Sequence, residues 1–351
     1  MAKKIKVLIV DDSPVIQLCL EHILQSDPSI EIIGKVDSGF KAIEFLEHSK
    51  PDVITMDLNM PGIDGLETTR RILEKHPIPI VIVSNLYSPE DAHLNFEAIQ
   101  AGATSILPKP RYPFNNRNHK EWHEFIHTIK TLSKIKIIKT EFSNQDSKFK
   151  NWTTQTLSIH PLQSKIKYIA VGVSTGGPPV LKEFLSHLPA DLPAPILIVQ
   201  HITEGFLEGL VQWLSKSTKL NVKIAEEDEI PLPGHIYFAP IDYHLIVSTD
   251  GRLHLSTDDA IHGSRPSVSC LFRSLLQVGP QYTIAILLTG MGKDGAKELK
   301  ELKNAGAITI IQDRKSSVVY GMPGEAKKLN AEHYEVSAEN LAPLLLSLLK
   351  K

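Results

Sequence analysis

Gly172-Val173-Ser174-Thr175-Gly176 closes a strongly apolar run, Lys165–Val173, with the G-x-S-x-G spacing of a serine held on a tight strand-to-helix turn. Glycines on both sides tolerate unusual dihedrals and let a substrate approach the backbone. The amide after such a serine can donate to a developing oxyanion. A Gly-rich turn after a strand can equally cradle a phosphate, so the motif needs a base and an acid beside it. His201 follows the buried-strand pattern Ile196–Val199 and Gln200. Asp294 lies in the glycine-dense loop Thr289-Gly290-Met291-Gly292-Lys293-Asp294-Gly295, after the run Thr283–Leu288. On three strand ends, these residues would supply a nucleophile, a proton acceptor and a group that fixes the imidazole tautomer. The spacing leaves His235, His244, His254 and His262 open as other bases among 15 histidines, and Asp294 also reads as a turn former in K-D-G.

A second set occupies the first third of the chain. Asp11 and Asp12 follow Lys6–Val10, Asp57 follows Val53–Met56, Ser84 follows Ile80–Val83, and Lys109 follows Ser105–Leu107 ahead of a proline. Three converging carboxylates repel one another and call for a hard cation with oxygen ligands, Mg²⁺ by preference. A carboxylate beside that cation can attack a phosphoryl group. A hydroxyl and an ammonium can then bind the phosphoryl oxygens. Any one of these residues alone would read as a helix cap, but five at successive strand ends are harder to explain that way.

Stepwise alternation of strand and helix patterns must position both sets. In residues 1–110, apolar β-branched runs alternate with amphipathic stretches at Val15–Gln25, Phe40–His48 and Leu66–Lys75. Five such units predict an open parallel sheet with helices on both faces, whose ligands bind beyond the carboxyl ends of the strands. A last helix of this unit is predicted from about His119 into the early 130s, where Trp122, Phe125, Ile126, Ile129 and Leu132 recur at helical spacing. The expected fold class is α/β, with two doubly wound domains built on mainly parallel sheets. The predicted divisions are 1–133, a basic connector at 134–164, and 165–351. The closing AENLAPLLLSLLKK predicts an amphipathic helix that caps the second domain.

Charge supports that map. Residues 1–110 carry 10 Lys+Arg and 16 Asp+Glu, a net of −6; residues 111–165 carry 10 and 4, a net of +6; the remainder carries 18 and 20, a net of −2. The connector's charge suits a solvated linker against the acidic first domain better than a grip on nucleic acid. A DNA-binding output would need a helix-turn-helix and a basic face, which the strand-rich, slightly acidic second half does not offer. A non-catalytic interaction protein is the other alternative, against which stand the three candidates Ser174, His201 and Asp294. Cys19 and Cys270 match no metal-ligand spacing and fit a reducing compartment. No apolar run approaches the ~20 residues needed to span a bilayer. The expected location is cytoplasmic, with no membrane insertion and no nucleic acid partner.

Two resemblances sharpen these expectations. The stretches VLIVDDSP, DVITMDLNMPGIDG, PIVIVSN and AGATSILPKP resemble the flavodoxin-like receiver domain of two-component response regulators. That implies phosphorylation of Asp57 by a chemotaxis histidine kinase, Mg²⁺ held by Asp11, Asp12 and Asp57, and phosphate sensing by Ser84 and Lys109. Ile106 departs from the pattern, standing where many receivers carry an aromatic switch residue. The stretches GVSTGGPPVL, ILIVQHI, GHIYFAPIDYHLIV, HGSRPSVSCLFRSL and ILLTGMGKDGAKELKELKNAGAITIIQDRKSSVVYGMPGEA are similar to the Rossmann-like catalytic domain of the chemotaxis-specific protein-glutamate methylesterases, the CheB family. That similarity implies Ser174 as nucleophile, His201 as general base, Asp294 as its orienter, and the amides of Thr175 and Met291 as oxyanion donors. It places Arg265-Pro266-Ser267 and Asp242–His244 near the cleft and implies no cofactor in this domain. The substrates implied are methylated chemoreceptor cytoplasmic domains, with glutamine deamidation as a related activity. The Ser–His–Asp chain order differs from the Ser–Asp–His order of α/β-hydrolases; triads are defined by geometry, so the chemistry stands.

Overall fold

Runs rich in Val and Ile form the central strands, with Lys6 the one charged residue in the inner strands of the first sheet, and serine or aspartate caps start several of the helices between them. A computed structural model describes residues 3–85, 89–110, 119–135 and 166–349. The first sheet comprises β1 (Ile5–Val10), β2 (Ile30–Val36), β3 (Val53–Met56), β4 (Ile80–Ser84) and β5 (Ser105–Pro108). All pairs are parallel, in the order β2-β1-β3-β4-β5. Its helices are α1 (Pro14–Gln25), α2 (Gly39–His48), α3 (Gly65–Lys75), α4 (Pro89–Gln100) and α5 (His119–Leu132). Ser13 caps α1 with Pro14 at its first position, and Asp64 caps α3 by accepting the Glu67 amide at 2.7 Å.

The second unit is larger. Strands β6 (Tyr168–Val173), β7 (Ile196–Gln200), β8 (Asn221–Ile224) and β9 (His235–Phe238) precede a hairpin of β10 (His244–Val247) and β11 (Leu253–Ser256). Then follow β12 (Thr283–Leu287), β13 (Ile308–Gln312) and β14 (Tyr334–Val336). Seven strands form one parallel sheet, β14-β13-β12-β6-β7-β9-β8. The hairpin pairs antiparallel and stands apart from it. The helices are α6 (Gly177–Ser186), α7 (Leu207–Ser215), α8 (Val268–Val278), α9 (Ala296–Asn304), α10 (Met322–Lys328) and α11 (Ala338–Leu349). Leu341, Leu344, Leu345 and Leu348 of α11 are buried in the same apolar cluster as Phe184 and Leu185 of α6, so the closing helix covers this domain. Nearly all of the expected connector, 134–164, lies outside the described residues.

The two units pack together through the first sheet's last helices. Phe96 of α4 stacks on Trp213 of α7, with ring centroids 5.5 Å apart. Lys182 of α6 lies 4.7 Å above the Trp213 ring and donates to Gln100 Oε1 at 2.6 Å. Half-buried Ile106 packs against both the first unit's core and the cluster that holds Phe96 and Trp213. On α5, Phe125, Ile129 and Leu132 share a cluster with Val319 and with the partly buried Met291 and Val318. The Thr131 hydroxyl lies 3.5 Å from Met291 Sδ.

Candidate functional site

At the carboxyl edge of the first sheet, Asp11, Asp12 and Asp57 bring a carboxylate oxygen each to within 4.8 Å of one another. Asp11 and Asp57 are buried and Asp12 is exposed. Asp11 Oδ1 accepts the Ser13 amide at 2.9 Å, leaving Oδ2 3.1 Å from Lys109 Nζ; the same ammonium lies 2.8 Å from Asp57 Oδ2. Burial pushes the Asp57 carboxyl above its ordinary range despite the Lys109 ammonium. Burial also raises Asp11, with the Asp57 charge adding to it. For Lys109 the balance reverses: burial opposes the charge, but the two carboxylates outweigh it and raise its pKa. Ser84, at the end of β4, is buried, and its hydroxyl donates to the Asn85 carbonyl at 3.2 Å. Two buried carboxylates with one ammonium, and a third carboxylate open to solvent, form an oxygen-rich pocket suited to a small divalent cation.

At the corresponding edge of the second sheet, strand register brings the other candidates together. Val173 pairs with Gln200, so Ser174 and His201 leave adjacent strand ends, and the His201 amide donates to the Val173 carbonyl at 2.9 Å. Leu287 pairs with Gly172, which places the Thr289–Asp294 loop on the other side of Ser174. The Ser174 amide donates to the Thr289 carbonyl at 3.0 Å. Gly290 is needed there: a Cβ at that position would lie 2.7 Å from Ser174 Cβ and 2.4 Å from Met322 Sδ.

His201 Nε2 lies 3.0 Å from Asp294 Oδ2. Asp294 is buried beneath the first turn of α8. Its Oδ2 also accepts the Val268 amide at 2.7 Å, while Oδ1 accepts the Ser269 amide at 3.0 Å and the Ser267 hydroxyl at 2.8 Å. Burial alone would raise its pKa, but the His201 contact and these donors hold the carboxyl far below the usual range. The amide-lined start of α8 favours the same negative charge. Ser269 Oγ in turn donates to buried Glu298 at 2.8 Å, and Arg273 holds Glu298 Oε1 at 2.6 Å. No hydrogen bond joins Ser174 Oγ to the His201 ring among the described residues. With Nε2 on Asp294, the ring nitrogen left for a proton transfer is Nδ1.

The oxyanion candidates can be judged from the same loops. The Gly290 carbonyl accepts the Gly321 and Met322 amides at 3.1 and 2.9 Å. In a trans peptide the N–H points opposite the carbonyl, so the Met291 N–H is directed away from α10. Among the described residues neither the Thr175 nor the Met291 amide has a hydrogen-bond acceptor.

The other histidines go elsewhere. His244 is fully buried; its Nδ1 accepts the Ser267 amide at 3.1 Å and its Nε2 lies 3.2 Å from the Asp259 carbonyl, so it supports the Ser267 turn and not the Asp294 carboxylate directly. His254 pairs with Glu227, His235 Nδ1 meets the Pro233 carbonyl, and His262 is exposed on a left-handed residue. Asp242 also adopts a left-handed φ of 63°, and its amide donates to the Arg265 carbonyl at 3.3 Å. Spacing alone missed Ser269, Glu298 and the contact from Ser267 to Asp294. The helix-cap signal at Ser267 marks the start of α8 but carries no information about a carboxylate 27 residues onward.

Comparisons with known proteins bear on both units. The family described as CheB methylesterase matches residues 169–345, and the response regulator receiver domain family matches residues 7–116. A protein-glutamate methylesterase/protein-glutamine glutaminase of Geobacter metallireducens is 44% identical over 345 residues, covering 98% of this chain and 99% of its own. Its counterpart from Nitrosospira multiformis is 44% identical over 348 residues, covering 98% and 97%. Among solved structures, the Thermotoga maritima CheB methylesterase catalytic domain aligns with a TM-score of 0.51 at 36% identity, covering 53% of this chain and all of that one.

Proposed function

The chain belongs to the CheB methylesterase family, and from that premise we propose that it hydrolyses glutamate γ-methyl esters on chemoreceptor cytoplasmic domains under control of its receiver. The observation that carries the proposal is the buried, four-donor Asp294 bonded to His201 beside the Ser174 turn. In this reading Ser174 Oγ attacks the ester carbonyl while its proton passes to His201 Nδ1. Asp294 holds the Nε2–H tautomer and stabilises the imidazolium. The Thr175 and Met291 amides receive the negative charge that develops on the carbonyl oxygen; single donors of this kind contribute about 3–4 kcal/mol. Collapse expels methanol, which takes the proton from His201, and leaves an acyl-enzyme. Water activated by the same nitrogen then releases free glutamate. Deamidation of a receptor glutamine follows the same course with ammonia leaving. The Ser174–His201 bond forms as the substrate seats, since catalytic hydrogen bonds commonly tighten in the substrate complex.

Control follows from the packing of the two units. Asp57 accepts a phosphoryl group from a chemotaxis histidine kinase; Asp11, Asp12 and Asp57 are the residues that would hold Mg²⁺. The cation, when bound, neutralises the carboxylates and the phosphoryl oxygens. Ser84 and Lys109 then bind those oxygens. Helix α5 lies against Met291, the residue whose amide faces the reaction, so a change at Asp57 that loosens this packing also opens the Ser174 cleft. The DNA-binding alternative has no support in a second domain built on a seven-stranded parallel sheet. Methanol release from a methylated receptor fragment tests the chemistry: it is expected from the wild type and lost in both Ser174→Ala and His201→Ala. Retention in either variant would remove that residue from its role.

A further inference from the structure

Gln200, the last residue of β7, is buried beside the Ser174 turn, with 3% of its surface exposed. Its Nε2 donates to the Ser174 carbonyl at 3.0 Å and to the His201 carbonyl at 2.8 Å. Both partners are carbonyls, so the amide nitrogen must face them. The Ser174 carbonyl takes a second donor, the Gly177 amide, at 2.9 Å. Its direction is therefore fixed from two sides. Because the peptide is trans, the Thr175 N–H points the opposite way and shares that fixed direction.

We propose that Gln200 is a positioning residue that aims the Thr175 amide through the carbonyl of the nucleophile itself. It also ties the nucleophile's turn to the residue that carries the base. The inference rests on the esterase reading above and deepens it. Two details speak against a purely space-filling role. Gln200 Oε1 is buried and has no hydrogen-bond donor among the described residues. An apolar side chain of the same shape would avoid that unpaired acceptor, so the two donations are what keep an amide there. In addition, a Cβ at Gly177 would lie 2.2 Å from Gln200 Oε1, so the second glycine after Thr175 makes room for this side chain. Gly290 does the matching task for Met291, with backbone amides in place of a side chain.

The test compares Gln200→Met, which keeps the shape and removes both donors, with Gln200→Glu, which turns an oxygen toward the two carbonyls. Methanol release is measured across pH, alongside binding of phenylboronic acid, which forms a tetrahedral adduct with an active serine. For both variants kcat is expected to fall about 10- to 100-fold, less than or equal to the loss of a whole oxyanion donor. For Gln200→Met, KM and the midpoint of the pH profile stay at wild-type values and boronate affinity falls in step with kcat/KM; Gln200→Glu is read by kcat alone, because its carboxyl beside His201 brings a titration of its own. Ser174-dependent hydrolysis that is unaffected in Gln200→Met would overturn this inference alone. So would a fall in kcat of Gln200→Met with undiminished boronate affinity, or one accompanied in that variant by a shifted pH midpoint. Wild-type rates in Ser174→Ala would overturn the esterase reading and this inference with it.

Discussion

His201 meets Asp294 through Nε2, and the oxygen it meets also accepts the amide of Val268 at the start of α8. His201 is thereby anchored to a helix start that lies far from it in the chain. Asp294→Asn replaces an acceptor that four donors require with a group that is itself half donor. The imidazole loses the Nε2–H tautomer, so kcat is expected to fall by about 10⁴-fold, as in other triads that lose this acid. Steady-state methanol release checks it; a loss under tenfold would show that Asp294 does not set the tautomer.

The same carboxylate leaves a signature in stability. Its folded-state pKa is depressed, so its stabilising contribution is complete above the ordinary carboxylate value of about 3.9 and is lost as pH falls further. The gap in melting temperature between wild type and Asp294→Asn should therefore be widest at neutral pH and narrow below about pH 4. Differential scanning calorimetry across pH 3–7 measures it, and a gap that widens toward acid would contradict the assigned contacts.

The acidic pocket of the first sheet carries the opposite sign. Asp11 and Asp57 have raised pKa values, so their ionisation costs stability as pH rises through that raised range toward neutrality. Mg²⁺ should relieve this, raising the melting temperature of the wild type at neutral pH; a ligand at 100 times its Kd contributes about 2.7 kcal/mol. Asp57→Asn and Asp11→Asn should lose most of the response. An equal Mg²⁺ response in both variants would place the cation elsewhere.

Under the proposed control, contacts between the two units set the basal rate. The Phe96–Trp213 stack crosses the interface, and such pairs contribute about 0.5–1.5 kcal/mol beyond buried area. Phe96→Ala should therefore raise the unphosphorylated esterase rate at least about twofold, and removal of residues 1–150 should raise it further. Equal rates in full-length and truncated protein would sink the inhibitory reading of this interface.

How much of this was legible in the sequence depends on the range of each interaction. Strand ends could be read, because apolar β-branched runs stop at Asp11, Asp57, Ser84, Ser174 and His201, and a parallel sheet gathers such ends at one edge. Boundaries were less exact: the run from Lys165 becomes a strand only at Tyr168, and the run to Leu288 ends at Leu287. The β10–β11 hairpin has no distinct mark in the sequence, since its short runs give the same apolar signal as parallel strands. His244 looked like a rival base and turned out to be a fully buried support for the Ser267 turn. The partners of Asp294 and the two carbonyls held by Gln200 could not be read either. They depend on register between distant segments, and register is fixed only once the sheet is assembled.

The most direct test of the account joins its two halves in one assay. Methanol release from a methylated chemoreceptor fragment would be followed for wild type, Ser174→Ala and Asp57→Asn, each with and without Mg²⁺ and a small phosphodonor such as acetyl phosphate. The account predicts release that depends on Ser174, rises on phosphorylation of the wild type, and stays at the basal rate in Asp57→Asn. Release from Ser174→Ala, or a wild-type rate indifferent to the phosphodonor while Asp57 is shown to be phosphorylated, would contradict it.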